Sequence, residues 1–128
     1  MKTKQDLIEE IDSLTLDFGH DNWDGFGAKA ITQESLTDSL FFLDNLPSRF
    51  VPEFLPEVLP DARGFVIFYW DFGIGKHISV TLKGVEIDWA FENGEFFQEE
   101  IVMNFWAMMK VFDKIKEFGL TTDKSEVG

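Results

Sequence analysis

The stretch FVIFYWDFGIGKHISVTLKGVEIDWAF, residues 65–91, decides the fold of this chain. Its three parts, 65–72, 76–83 and 85–91, either alternate apolar with polar residues or are dense in aromatic and β-branched residues. Both patterns are typical of β-strands. Only one to three residues separate the parts, so neighbouring strands must be antiparallel. The stretch therefore predicts a three-stranded meander, and Asn93-Gly94 predicts a tight turn into a possible fourth strand.

The first of these strands is apolar on both of its alternating faces. Val66, Phe68, Trp70 and Phe72 lie on one face, and Phe65, Ile67 and Tyr69 on the other. Such a strand is either covered on both sides or exposes an interface. We expect the protein's own helices to cover it, with a homodimer through this strand or through the Phe-rich helices as the alternative to a monomer.

Upstream of the strands, the spacing of apolar residues predicts two helices. Leu7, Ile8, Ile11 and Leu14 mark one face of a helix over residues 4–15. Turn formers then predict a loop over 17–31. A second helix starts at the N-cap Thr32, carries Leu36, Leu40, Phe41 and Leu43 as its apolar stripe, and ends at Pro47. Four prolines predict an extended connector over 47–60 with room for one edge strand.

A third helix is predicted at the C-terminal end. Ile101, Phe105, Met108, Phe112 and Ile115 form its stripe, which Val102, Trp106 and Met109 widen. Glu99 and Glu100 occupy its first turn, and Gly119 is its expected stop. The predicted fold is α+β in the order ααβββα, an antiparallel meander of three to four strands packed with three helices. Residues 1–120 form a single acidic domain, and 121–128 a flexible tail.

Charge is the strongest indication of function. The 128 residues contain 24 Asp and Glu against 11 Lys and Arg, a net charge of −13. Residues 1–62 contribute 13 of the acids and only four of the cations. Nucleic-acid and membrane binding are disfavoured because both require basic surfaces, whereas encounter with a basic protein is favoured. The absence of cysteine, of an apolar leader after Lys2 and Lys4, and of any long apolar run favours the cytoplasm.

The string Asn22-Trp23-Asp24-Gly25-Phe26-Gly27-Ala28 is the most distinctive local motif. Together with Leu46-Pro47, Pro56-Glu57-Val58 and the strand that ends at Trp70, it resembles a family of small, largely uncharacterised bacterial proteins with an N-W-D-G-[YF]-G-A loop. The resemblance covers residues 20–92. It implies a bacterial or mobile-element origin and supplies neither an activity nor catalytic residues.

Two interpretations of this loop follow from its chemistry. In the more common one, Trp23 and Phe26 fix an ordered turn to the core while Gly25 and Gly27 supply positive φ angles. In the other, the loop and its neighbouring acids anchor a partner, because aromatic residues dominate binding hot spots. The residues assigned to that anchor are Asp17, Asp21, Asn22, Trp23, Asp24, Phe26, Glu34 and Asp38.

The sequence therefore predicts a non-enzymatic acidic binding module. Its expected partner is a basic protein such as a nuclease or toxin, as for antitoxins, immunity proteins and inhibitors of defence nucleases, and its surface can imitate the charge of DNA. No cofactor, metal ion or catalytic residue is assigned. Asp17, His20, Asp21 and Asp24 match no known metal-loop spacing. The alternatives are a ligand-binding domain and a small enzyme using paired carboxylates, such as Asp71 with Glu86 or Asp88.

Overall fold

The computed structural model describes residues 3–46, 55–73, 75–83, 86–92, 96–102 and 104–127. Within these ranges the chain forms three α-helices and five β-strands in the order ααβββββα. The elements are α1 (Lys4–Phe18), α2 (Gln33–Asp44), β1 (Glu57–Asp61), β2 (Phe65–Gly73), β3 (Lys76–Leu82), β4 (Glu86–Glu92), β5 (Phe96–Val102) and α3 (Phe105–Val127). The α+β class is confirmed.

The five strands form one antiparallel sheet whose spatial order follows the chain, β1-β2-β3-β4-β5. The meander is therefore confirmed, but the predicted count of three to four strands and the order ααβββα are wrong. One added strand, β1, lies in the proline-rich connector at the edge position expected there, where Pro60 is tolerated. The predicted turn at 93–95 and the connector residues 47–54 lie outside the described residues.

β5 begins at the possible fourth strand predicted after Asn93-Gly94 and continues through the predicted start of the last helix. Glu99 and Glu100 lie in this strand rather than in a first helical turn, and α3 begins only at Phe105. A short apolar run fits both a helical and a strand period, and here pairing along β4 decides in favour of the strand. The predicted stop at Gly119 is also wrong, because α3 continues to Val127; glycine lowers helix stability by only about 1 kcal/mol.

All three helices contribute to one core on a single face of the sheet. The sheet side consists of Val66, Phe68, Trp70, Ile78, Val80, Leu82, Ile87 and Trp89. The predicted faces of α1 and β3 are buried there as expected. In α3, Met108, Phe112 and Ile115 are buried, but Phe105, Trp106 and Met109 are exposed. The predicted α3 stripe is thus correct in register and too wide.

One buried serine, Ser35, explains the orientation of α2. The Ser35 hydroxyl accepts a hydrogen bond from the Val66 N–H (2.8 Å) and donates to the Leu82 carbonyl (2.5 Å). Val66 and Leu82 face each other across β2 and β3. This contact turns Leu40 and Phe41 outward and Phe42 inward, so two residues of the predicted stripe are exposed. The N-cap at Thr32 is confirmed, since its side chain accepts from the Ser35 N–H.

The opposite face of the sheet, which we call the open face, contains Leu59, Phe65, Ile67, Tyr69 and the side chains aligned with them on β3, β4 and β5. Phe65, Ile67 and Tyr69 are half-buried and are not part of the helix-covered core. The expectation that the protein's helices cover both faces of β2 is therefore wrong for the described residues. Each helix has a single apolar stripe, and all three stripes pack against the opposite side of the sheet.

None of the helices in the described part of the chain has the length and apolar character needed to cross a membrane.

Candidate functional site

The segment between α1 and α2, residues 19–32, is fixed at both ends by backbone hydrogen bonds; we call it the Phe26 loop. The Ile31 N–H donates to the Phe18 carbonyl at the end of α1 (3.0 Å). The N–H groups of Lys29 and Thr32 donate to the carbonyls of Ala62 and Gly64, at 2.7 and 2.9 Å. The loop therefore lies against the turn that joins β1 to β2.

Three polar side chains of the loop hold its own backbone. Asp24 Oδ1 accepts from the N–H groups of Phe26 (2.8 Å) and Ala28 (3.0 Å). Asn22 Oδ1 accepts from the Gly27 N–H (2.7 Å). Asp21 Oδ1 accepts from the Ala30 N–H at 3.0 Å. Short polar side chains commonly organise tight turns in this way.

Trp23 attaches the same loop to α1. Its Nε1 donates to the Lys29 carbonyl (2.8 Å), and its ring meets Phe18 edge to face with centroids 4.7 Å apart. Asn22, Gly25 and Gly27 adopt φ angles of 63°, 78° and 91°, the left-handed region that asparagine and glycine tolerate best. These contacts support the structural interpretation of Asp21, Asn22, Trp23 and Asp24.

Phe26 is different, because its side chain is 93% exposed. Its backbone is held by Asp24, while its ring contributes nothing to the core. The expectation that Phe26 fixes the loop to the core is wrong. The loop therefore exposes the Phe26 ring to solvent, while side-chain hydrogen bonds hold its backbone in place.

The remaining predicted site residues flank this loop along the chain. Asp17 is exposed in the last turn of α1, and Glu34 is exposed in the first turn of α2. Asp38 is half-buried one turn further along α2, on the same side as Glu34. Burial, and then the charge of Glu34, raise the pKa of the Asp38 carboxyl. A nearby cation would relieve both unfavourable effects.

Charge is distributed unevenly over the elements. The acidic surface, which we define as α1, the Phe26 loop and α2, carries ten acids and two lysines between residues 3 and 46. In contrast, the charges of α3 balance, with four lysines (Lys110, Lys114, Lys116, Lys124) against four acids (Asp113, Glu117, Asp123, Glu126). The acids are therefore concentrated on one part of the helical layer.

The open face carries a second group of acids. Burial, followed by the charges of Asp71, Glu57 and Glu92, raises the pKa of Tyr69. Cations are interspersed here, however. Arg63 lies 2.7 Å from Asp61, and Lys83 lies 3.0 Å from Glu100. This face is thus partly neutralised, unlike the acidic surface.

The carboxylate pairing considered for an enzyme does not form. Asp71 lies opposite His77, whereas Asp88 lies opposite Thr81 in the next pair of strands. Glu86 lies opposite Val102 at the far end of β4, away from Asp71. The hydrogen bond from Lys83 lowers the pKa of its neighbour Glu100. Among the described residues, no three His, Asp or Glu side chains come close enough to hold a metal ion together.

An open groove of about 380 Å³ runs between α1 and α2. It is lined by Lys4, Ile8, Leu40, Phe41, Leu43 and Asp44. The sequence did not reveal this groove, because the spacing of Leu40 and Phe41 suggested burial. The core contains Phe42 rather than the predicted Phe41. Only the contact of Ser35 with the sheet, which the sequence does not show, determines this orientation of α2.

Comparison of the chain with protein-family models, with curated proteins and with solved structures gave no match. The resemblance of residues 20–92 to a bacterial family stays a prediction.

Proposed function

We propose that this protein is a non-enzymatic acidic binding module that covers a basic surface of another protein. The exposure of the Phe26 ring is the observation that supports this proposal most strongly. A ring that is 93% exposed gains nothing from folding, yet its loop is held by at least seven hydrogen bonds of Asp21, Asn22, Trp23, Asp24, Lys29 and Ile31. An aromatic side chain on a preorganised loop loses little entropy when a partner buries it.

The surrounding charge determines the kind of partner. Ten acids against two lysines on the acidic surface attract a cationic surface and repel an anionic one. Asp38 is half-buried beside Glu34, and burial followed by the charge of Glu34 raises the pKa of its carboxyl, so a cation of the partner would stabilise both carboxylates. A partner with lysines and arginines around an apolar pocket would accept Phe26 and neutralise these acids. The nucleic-acid-binding surface of a nuclease or toxin has such chemistry, and the acids would then occupy the place of phosphates.

The experiment is affinity capture from the cells that make the protein, followed by calorimetry with the purified partner. The variants are Phe26→Ala and the triple variant Asp17→Asn, Glu34→Gln, Asp38→Asn. We expect a basic partner whose affinity falls about 30-fold or more with Phe26→Ala, the loss typical of a hot spot. The triple variant should weaken binding mainly at low salt.

Matched controls make the outcome specific. Leu59→Ala removes an exposed apolar side chain of the open face, and the triple variant Glu57→Gln, Asp88→Asn, Glu92→Gln makes the same change in net charge on that face. Both should bind almost as the parent does. The proposal fails if the captured partner is acidic, or if the controls lose as much affinity as the site variants.

A further inference from the structure

The two edges of the sheet differ in how they are protected. β1 has five residues and contains Pro60, which cannot donate to a further strand. β5 has seven residues and no proline, and among the described residues it pairs only with β4. A strand edge with unpaired backbone groups is a template for another strand. β5 therefore lacks the proline that protects β1, and its one inward-pointing charge, Glu99, is paired with Lys110 at 3.3 Å.

Exposed apolar side chains cluster along β5 and at the start of α3. Phe96, Phe97 and Val102 lie on the strand, and Phe105 and Trp106 open the helix that follows it. Phe96 and Val102 are 68% and 59% exposed. Neighbouring exposed apolar residues of this kind mark an interaction surface.

We propose that a second copy of this chain pairs with β5 in antiparallel orientation, centred on Glu99, to form a continuous ten-stranded sheet. The sequence Phe96-Phe97-Gln98-Glu99-Glu100-Ile101-Val102 is self-complementary about Glu99. In this register Phe97 faces Ile101 of the other copy on the helix side. On the open face, Phe96 meets Val102 and Gln98 meets Glu100. Apolar residues thus oppose apolar ones, and an amide opposes a carboxylate.

Other two-fold registers that keep both helical layers on one side are poorer. A pairing centred on Gln98 puts Phe97 opposite Glu99 and Phe96 opposite Glu100. A pairing centred on Glu100 puts Ile101 opposite Glu99. Each leaves an apolar side chain against a carboxylate, so the register centred on Glu99 is the one that the sequence of β5 favours.

Charge opposes this pairing at the centre of the strand. The symmetric pair would bring two Glu99 side chains together, but Lys110 of the same copy lies 3.3 Å from Glu99 and can bridge to its counterpart. The acidic helices α1 and α2 pack mainly against β1, β2 and β3, so association through β5 keeps the acidic surfaces apart. A net charge of −13 per copy still opposes association, so added salt should strengthen the dimer.

Cysteine cross-linking tests both the surface and the register, since the native chain has no cysteine. Glu99→Cys would face itself across the two-fold axis, with Cα atoms about 4.5–5.5 Å apart, a separation that a disulfide can span. Val102→Cys would lie about 20 Å from its counterpart, six residues along the strands. The side chain of Val102 is more exposed than that of Glu99. Disulfides formed by random collision between molecules would therefore be more frequent in Val102→Cys, which makes this variant a stringent control.

We expect rapid disulfide formation under mild oxidation for Glu99→Cys and little for Val102→Cys, in variants whose circular dichroism matches the parent. Sedimentation of the unmodified chain should show a mass rising from 14.8 kDa toward twice that value with protein concentration, more steeply in high salt. Equal cross-linking of both variants, or cross-linking of neither, would overturn the proposal. So would a mass that stays at 14.8 kDa at every concentration and salt level. Binding to a basic partner should show the opposite salt dependence, so the two proposals can fail independently.

Discussion

The Ser35 hydroxyl is the smallest group on which the architecture depends. It joins α2 to both central strands by accepting from Val66 and donating to Leu82. Ser39, one turn further along, is equally buried but donates only to the Ser35 carbonyl in its own helix. Substitution of each serine by alanine therefore gives a matched pair of variants, of which only the one at Ser35 removes a contact with the sheet.

Ser35→Ala should lower the free energy of unfolding by about 1–3 kcal/mol, because it removes a partner from two buried backbone groups. Ser39→Ala should change it by less than about 1 kcal/mol, since alanine is the better helix former and the Ser35 carbonyl keeps its helical partner. Urea denaturation of both variants measures the difference. Equal effects would contradict the role given to Ser35.

Gly64 controls how the Phe26 loop lies on the β1–β2 turn. Its φ is 94°, and a Cβ at this position would come within 2.6 Å of the Ala30 carbonyl oxygen. Gly25 has a similar φ of 78° with open space around the same position.

Gly25→Ala should lower the free energy of unfolding by about 1–2 kcal/mol, because alanine disfavours the left-handed backbone at this position. Gly64→Ala should cost clearly more, because the Ala30 backbone must also move and the bond from Thr32 to Gly64 is strained. Thermal unfolding of the two variants tests this, and similar midpoints would show that the loop does not depend on this close approach.

At the scale of elements, the sequence predicted those whose two faces differ clearly. The alternation of Ile78, Val80 and Leu82 identified β3, and Leu7, Ile11 and Leu14 identified the inner face of α1. It predicted β5 only as a possible fourth strand and assigned its second half to the last helix, because Ile101 and Phe105 are four residues apart, a spacing that fits a helix as well as a strand. Only the ladder with β4, a contact distant in sequence, distinguishes the two.

Asp61 in β1 and Asp38 in α2 make the free energy of unfolding depend on pH in opposite directions. Burial alone would raise the pKa of Asp61, but its hydrogen bonds and ion pair with Arg63 outweigh burial and lower it. A lowered pKa contributes stability that is present above the unfolded value of about 3.9 and is lost as the pH falls through the folded value. The pKa of Asp38 is raised, so its ionisation weakens the fold as the pH rises.

We therefore expect Asp61→Asn to lower stability at neutral pH by less than about 1 kcal/mol, given that Arg63 is largely exposed. Asp38→Asn should raise stability at the same pH. The Asp38 difference should vanish near pH 3, where that carboxyl is protonated, whereas the Asp61 difference should persist to lower pH because the pKa of Asp61 is lowered. Denaturation curves over pH 3–7 check this, and differences of the same sign at neutral pH would be inconsistent with the environments described here.

At the scale of the whole molecule, composition predicted an uneven charge but not its geometry. Residues 17–38 contain all eight predicted site residues, yet the structure divides them by role. Asp21, Asn22, Trp23 and Asp24 hold the loop, whereas Asp17, Phe26 and Glu34 are exposed. Sequence spacing could not make this division, because a carboxylate that accepts backbone hydrogen bonds and one that faces solvent have the same residue type.

The central claim is that the acidic surface and Phe26 together recognise a cationic protein. The most direct measurement is the dissociation constant of the captured partner over a series of salt concentrations, for the parent and for Phe26→Ala. We predict that the parent's affinity falls steadily as salt rises, and that Phe26→Ala gives a parallel line displaced to weaker binding. Affinity that does not change with salt, or coincident lines for the two proteins, would contradict the account.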